Sequence, residues 1–199
     1  MFIMDIWEKS GLKDLKALYD SGRINVYHID EHGLNQELYF SVEYINDAWK
    51  TYLIQRGKKI ERYSTVVLDF AKISACFLFA KYFLQHLWPC DWNDIDLLLE
   101  KELINEAFQT VERKFILPLF KKYPNKIKLL NNNITIQIVC FNTNSQIVLA
   151  ECSDFHQALR AYRNYSVLFA RFTSLYELFI SDYPKLTYEY DRLLKMFLT

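Results

Sequence analysis

The stretch Tyr63–Trp88, YSTVVLDFAKISACFLFAKYFLQHLW, governs how the rest of the chain is read. Between Lys72 and Lys81 it holds eight uncharged residues, of which only Ser74 is polar. A helix apolar on nearly every side has no face to give to water, so other elements must enclose it. Pro89 stops it, because proline lacks the amide that continues a helical ladder. The stretch predicts a buried central helix over about 63–88, with Phe77 and Phe79 almost wholly out of solvent. The uncharged run is far shorter than the roughly 20 residues of a membrane span, and Asp69, Lys72 and Lys81 interrupt any extension of it.

Three other segments have apolar stripes of a length to enclose that helix. Leu38, Val42, Ile45, Trp49 and Tyr52 step by four and three, which predicts an amphipathic helix over 36–56, ended by Gly57. Asp91 or Asp94 can cap a long helix running to about Lys122, acidic at its start and basic at its end as the helix dipole favours; Pro118 should kink its last turns. Ser153 suits the cap of a further helix. There Phe155, Tyr162, Phe169, Tyr176 and Tyr183 repeat every seven residues, with Ala158, Tyr165, Phe172, Phe179 and Leu186 three positions later. Such spacing makes a long seam. Its aromatic residues are poor knobs for a dimeric coiled coil, so an intramolecular seam is expected. Pro184 breaks this helix, and a short one over 186–198 follows.

Elsewhere the chain reads as shorter pieces. Ser10 is placed to cap a helix over 11–20, with Gly22 at its end; 24–29 alternates as a strand, and 30–33 is a turn. After Pro124 the period becomes two, predicting strands at 126–130, 134–141 and 146–151. Pairing Cys140 with Ile147 and Ile138 with Leu149 would put the apolar residues on one face, joined by Ile127 and Leu129. The expected fold is α+β and mainly α-helical. It is a helical bundle around the 63–88 helix with a small antiparallel meander over 126–151, in a single domain over 1–199 (124–199 being a conceivable sub-lobe).

Composition narrows the chemistry. The 199 residues are 51% hydrophobic and 17% aromatic, enough for a sizeable core. The 24 basic and 24 acidic residues cancel, so no global field steers the chain to nucleic acid or membranes. The opening MFIMDIWEK lacks a basic segment and does not read as a secretion signal; the four cysteines form no CxxC pair and read as reduced thiols, so a cytoplasmic location is expected. There are four glycines, none after Gly57, and no GxGxxG, GxxxxGK or GxSxG pattern. Phosphate-cradling loops need glycine where backbone approaches the ligand, so nucleotide-binding folds and α/β-hydrolases are not expected. Richness in Asn, Ile, Lys, Tyr and Phe points to an AT-rich bacterial, phage or viral genome.

Several side-chain groups invite a functional reading. His28, Glu31 and His32 match H-x-x-E-H, which binds zinc when the two histidines lie one helical turn apart; the flanking INVYHI is strand-like, and a polar turn explains the group. His86 and Cys90 lie on either side of Trp88-Pro89, with no recognisable orienting group for a nucleophile pair. The acidic residues Asp91, Asp94, Asp96, Glu100, Glu102 and Glu106 are explained by the start of a surface helix. Arg113, Lys114, Lys121, Lys122, Lys126 and Lys128 form the densest basic stretch. Arg160, Arg163 and Arg171 are interleaved with Tyr162 and Tyr165, a mixture common at protein interfaces and able to stack bases. Their alternative role is to cover apolar surface and pair with the 91–106 acids.

No cofactor or metal is implied, and no catalytic motif is present. The expected function is a non-catalytic intracellular interaction module (inhibitor, immunity, adaptor or chaperone-like) that binds a partner protein and no membrane. Arg113, Lys114, Lys121, Lys122, Arg160, Arg163, Tyr165 and Arg171 are the candidate contacts. The alternative is a nucleic-acid-associated factor using 113–128 and the Arg160–Arg171 helix. A third class, an enzyme of unfamiliar type, would draw on His28, His32, His86 or Cys90.

Overall fold

A computed structural model describes residues 5–83, 93–101, 103–111, 113, 126–131, 136–141 and 146–199. Two compact units divide the chain, residues 1–88 with 175–197 and residues 89–174 with 198–199.

The first unit is built on an antiparallel meander of five strands in sequence order: β1 (Leu15–Asp20), β2 (Arg23–Asp30), β3 (Gly33–Ile45), β4 (Ala48–Gln55) and β5 (Lys58–Thr65). Two residues join each pair. Ser21–Gly22, Asn46–Asp47 and Arg56–Gly57 all have positive φ at both positions, from 41° at Ser21 to 86° at Gly22. That is the turn whose twist matches paired strands. Glycine takes this conformation without strain, which explains where the chain places Gly22 and Gly57.

The expected helix over 36–56 is therefore a hairpin. Its apparent helical stripe crosses the Asn46–Asp47 turn, and the register divides it between the two sides of the sheet. Phe40 pairs with Leu53, Val42 with Thr51 and Tyr44 with Trp49 on one side; Ser41 pairs with Tyr52 and Ile45 with Ala48 on the other. The segment is also rich in aromatic and β-branched residues, which suit a pleated surface. The expected helix over 11–20 is β1. Ser10 does not open it but closes a short helix α1 (Ile6–Lys9), donating from Oγ to the Trp7 carbonyl at 2.6 Å.

The central helix α2 (Leu68–Phe83) is as apolar as its sequence requires, with Phe77 and Phe79 both 0% exposed. It begins later than expected, because Tyr63 and its neighbours belong to β5. Its environment is also different: α2 lies on the meander rather than in a helical bundle. Val26, Phe40, Val42 and Leu53 supply the buried side of the sheet. Ser74, the one polar residue of the run, donates to the Ala71 carbonyl at 2.7 Å and lies 2.7 Å from the Thr51 hydroxyl of β4. His28 stacks on Phe83 with centroids 4.6 Å apart, and Phe40 meets Tyr82 and Phe83. Phe77 faces Phe179 and Phe197, at 6.4 and 5.8 Å. The C-terminal segment thus closes the core from another direction.

In the second unit the expected 91–122 helix is interrupted. The chain forms α3 (Asn93–Glu100) and α4 (Ile104–Val111), with the Leu103 amide donating to the Leu98 carbonyl at 2.8 Å between them. Pro118 lies outside the described residues. The predicted meander is present as β6 (Lys126–Asn131), β7 (Ile136–Phe141) and β8 (Gln146–Cys152). Cys140 pairs with Ile147, Ile127 with Cys140 and Leu129 with Ile138, as the alternation requires. A bulge then shifts Ile138 to Ala150 instead of Leu149. Helix α5 (Phe155–Ile180) carries the aromatic seam: Ala158, Tyr162, Phe169, Phe172, Tyr176 and Phe179 are all buried. The division between the units falls within α5, after Ser174. A 3₁₀ turn (Pro184–Glu189) and α6 (Tyr190–Leu198) follow, with Leu186 buried.

Candidate functional site

Of the residues that the sequence offers as contacts, the structure leaves few available. Arg113 is exposed and donates to Gln109 at 3.3 Å, while Lys114, Lys121 and Lys122 lie outside the described residues. Arg160 is exposed. Arg163 is half-buried and pairs with Asp96 at 3.3 Å, the internal pairing with the acidic stretch that serves as the alternative reading. The Tyr165 hydroxyl donates to the Leu149 carbonyl at 2.8 Å, so the extra residue of the β8 bulge is held by α5. Arg171 is 3% exposed and presents no surface to a partner. The Arg–Tyr set on α5 is thus mostly committed within its own unit.

The H-x-x-E-H group has strand and turn geometry. His28 is on β2 against Phe83, whereas Glu31 and His32 form the β2–β3 turn, in which the Asp30 carboxylate accepts from the His32 amide at 2.8 Å. The two histidines do not lie one helical turn apart, as the zinc reading requires. Among the described residues no group of three or more His, Cys, Asp or Glu is placed to hold a metal ion. His86 and Cys90 lie outside the described residues. The Cys76 thiol is fully buried in α2, and burial pushes its pKa upward, away from the thiolate needed for nucleophilic chemistry. No described helix is long and apolar enough to cross a membrane.

A different surface emerges at one end of the meander. Tyr44 and Trp49 are cross-strand partners beside the Asn46–Asp47 turn, their rings 5.1 Å apart. Trp49 pairs on its other side with Thr65, and Val66 and Val67 follow before α2 starts. Tyr44 is 54% exposed and Val66 is 78% exposed. Two adjacent valines in the open, next to a tyrosine–tryptophan pair, are costly to solvate unless something covers them.

This end of the sheet is also fastened. The Tyr63 hydroxyl donates to Glu189 Oε2 at 2.7 Å, and Arg192 Nη1 donates to the same oxygen at 2.7 Å. Arg192 also donates through Nη2 to the Ser64 carbonyl and lies 5.1 Å from the centre of the Tyr63 ring. Burial, and then the Glu189 carboxylate, raise the Tyr63 pKa, so the phenol stays protonated and remains a donor. The clasp carries Tyr188, 85% exposed, on the residue beside Glu189. Sequence alone hides this surface, because Val66 and Val67 read as the start of the buried helix and Tyr44 and Trp49 as part of a helical segment.

The open side of the same sheet is polar and internally balanced. Lys59 reaches across β4 to Glu43 at 2.7 Å, with its ammonium 4.0 Å from the centre of the Tyr52 ring. Lys50 pairs with Glu61 at 2.8 Å and Arg23 with Asp20 at 2.8 Å. Burial alone would raise the Glu43 carboxyl; hydrogen bonds from Lys59 and Ser41 outweigh it and hold the pKa below the ordinary value. Cations spent in this way leave little field for phosphate.

Lys81, near the end of α2, is a cation of another kind. Burial, with Arg62 adding in the same direction, lowers its pKa to about 8. Arg62 itself donates to the Met196 carbonyl at 3.2 Å, at the C-terminal end of α6. Compared with known protein families, curated proteins and solved structures, the chain matches none.

Proposed function

We propose that the protein is a non-catalytic interaction module that binds a partner protein. Its contact surface is the apolar end of the five-stranded meander rather than the arginine-rich helix. The observation that supports this reading is the exposed Tyr44, Val66 and Val67 around the half-buried Trp49, beside the Tyr63–Glu189–Arg192 clasp. Aromatic side chains lose little conformational freedom when they bind, and a surface already fixed by packing avoids much of the ordering cost. The partner that suits it presents an apolar surface with polar edges. Inhibitors, immunity proteins, adaptors and secretion chaperones all work by such docking, and a cytoplasmic setting with reduced thiols fits that class.

The test is affinity capture from the native host with the intact chain, the Val66→Asp variant and the Tyr44→Ser variant. The expected result is a partner retained by the intact chain and depleted at least tenfold with either variant, while thermal stability is unchanged. Equal capture by all three would refute the surface.

The alternative is nucleic-acid binding through 113–128 and the Arg160–Arg171 helix. Exposed Arg113 and Arg160 favour it; the pairing of Arg163 and the burial of Arg171 weigh against it. Binding to nonspecific DNA or RNA that weakens steeply with rising salt would support this alternative.

A further inference from the structure

The two edges of the five-stranded sheet are treated differently. At β5 the C-terminal segment reaches the strand, with Arg192 donating to the Ser64 carbonyl. At β1 the sheet ends in the open: four of its six residues are exposed, among them Leu18 at 38% and Tyr19 at 62%. A strand edge with free backbone groups is a template for another strand unless something discourages it.

The register fixes which groups face outward. The two-residue turn at Ser21–Gly22 makes Asp20 and Arg23 a hydrogen-bonded pair. Antiparallel pairs alternate, so Leu18 with Asn25 and Lys16 with Tyr27 are also hydrogen-bonded. The Asp14 carbonyl, which accepts from the Ile29 amide at 2.8 Å, continues the same parity. The amides and carbonyls of Leu15, Ala17 and Tyr19 therefore point to the open edge.

Only registers that place outward residues opposite one another can form hydrogen bonds to a second β1. Four of these keep at least three residues of the strand opposite one another, and the one centred on Lys16 sets Lys16 against itself. Centring on Ala17 sets Asp14 against Asp20, and centring on Tyr19 sets Leu18 against Asp20. Centring on Leu18 pairs Ala17 with Tyr19 through hydrogen bonds in both directions. In the intervening close pairs it sets Leu18 against Leu18 and Lys16 of each copy against Asp20 of the other. The charges that repel or waste contacts in the other registers become complementary twice over in this one. Each Asp20 carboxylate holds Arg23 through Oδ2 and Ser21 through Oδ1 and still has lone pairs to accept from a further donor.

We propose that β1 is a self-association edge, pairing antiparallel with β1 of a second copy about a two-fold axis at Leu18 and joining two five-stranded sheets into one. A single strand pair is a small interface, in the weak and transient class. The surface is separate from Tyr44, Trp49 and Val66, so the two can fail independently.

Two experiments test it on the full chain. Sedimentation equilibrium should show mass rising toward the dimer as concentration rises into the hundreds of micromolar (about the range for so small a contact). Lys16→Glu and Asp20→Lys should each weaken association at least tenfold, and the double variant should restore it, with circular dichroism establishing that all three are folded. Under mild oxidation Leu18→Cys should give a disulfide-linked dimer, since directly opposed positions lie within bridging distance, and Ala17→Cys should give at least tenfold less. A monomer at every concentration, a double variant that stays monomeric, or equal cross-linking at both positions would overturn the proposal. Val66→Asp should leave the association unchanged.

Discussion

Truncating Phe77 tests the enclosure of α2 most directly. Its side chain is 0% exposed, and its ring meets Phe179 tilted at 6.4 Å and Phe197 edge-on at 5.8 Å. Phe77→Ala removes roughly 2–3 kcal/mol of apolar transfer free energy. It also leaves a void of up to about 100 Å³, worth up to about 2 kcal/mol more if the surroundings do not collapse. Because the rings belong to α2, α5 and α6, no single backbone shift fills the space, so the expected loss is at the upper end, about 4 kcal/mol. A urea titration followed by tryptophan fluorescence, to which buried Trp7 of the same unit contributes, should show the midpoint falling by about 2 M for a slope of about 2 kcal/mol/M. Tyr188→Ala, at an 85% exposed position, should move it by less than about 0.5 kcal/mol. A Phe77→Ala loss below about 1 kcal/mol with an unchanged slope would refute the enclosure. A Phe77→Ala, Phe197→Ala double-mutant cycle should return a coupling of about 0.5–1.5 kcal/mol, as edge-on rings in contact require.

Two further outcomes are expected. Lys81 titrates near 8 in the folded chain because burial, and then Arg62, disfavour its charge. Between about pH 8 and its unfolded value near 10.4, the unfolded lysine holds a proton that the folded one has released, so stability should rise with pH through that window. Below pH 8 the penalty is fully present, and Lys81→Met should stabilise the chain at pH 7 by about 1–2 kcal/mol, a value reduced for the partial wetting of the ammonium. Denaturation at pH 7 and pH 11 checks it, since the gain should vanish at the higher pH. At the β4–β5 turn, Gly57 has φ 75° after Arg56 at 48°. Gly57→Ala should cost about 1–2 kcal/mol and Arg56→Asn should gain about 0.5–1 kcal/mol, both read from thermal or urea midpoints.

The parts legible in the sequence are those where one period fits and no turn intervenes. The uncharged run 73–80 can be satisfied only by burial, and it is buried throughout. The seven-residue aromatic repeat in α5 has no strand alternative over so many turns. The alternation after Pro124 fixes the Cys140–Ile147 pairing; the bulge is not legible, because inserting Leu149 leaves the apolar character of β8 unchanged. The N-terminal sheet was hidden by a coincidence of spacing. Leu38, Val42, Ile45, Trp49 and Tyr52 satisfy a helical stripe only if Asn46 and Asp47 are helical, and both have positive φ. The available signal was the recurrence of short turn pairs, Ser21–Gly22, Asn46–Asp47 and Arg56–Gly57, each flanked by alternating residues. Two of them contain glycine, Gly22 and Gly57, in a chain with four glycines in all.

The position of the Asn46–Asp47 turn also decides where an apolar surface lies. If 36–56 is a helix, Tyr44 and Trp49 lie more than a turn apart and Val66 is buried, so no apolar surface exists and the arginines of α5 are the conspicuous feature. Folding the segment at Asn46–Asp47 makes Tyr44 and Trp49 cross-strand neighbours with tilted rings and ends the sheet beside Val66. Meanwhile α5 spends Arg163 on Asp96 and buries Arg171. Charge patterns in a sequence show which residues can meet a partner, but fold topology decides which are already occupied. A polar side chain often finds its partner within the chain, as Arg163 does, whereas an exposed valine has nothing to gain from water. That asymmetry is why the proposed contact surface is the apolar end of the meander rather than the arginine-rich helix.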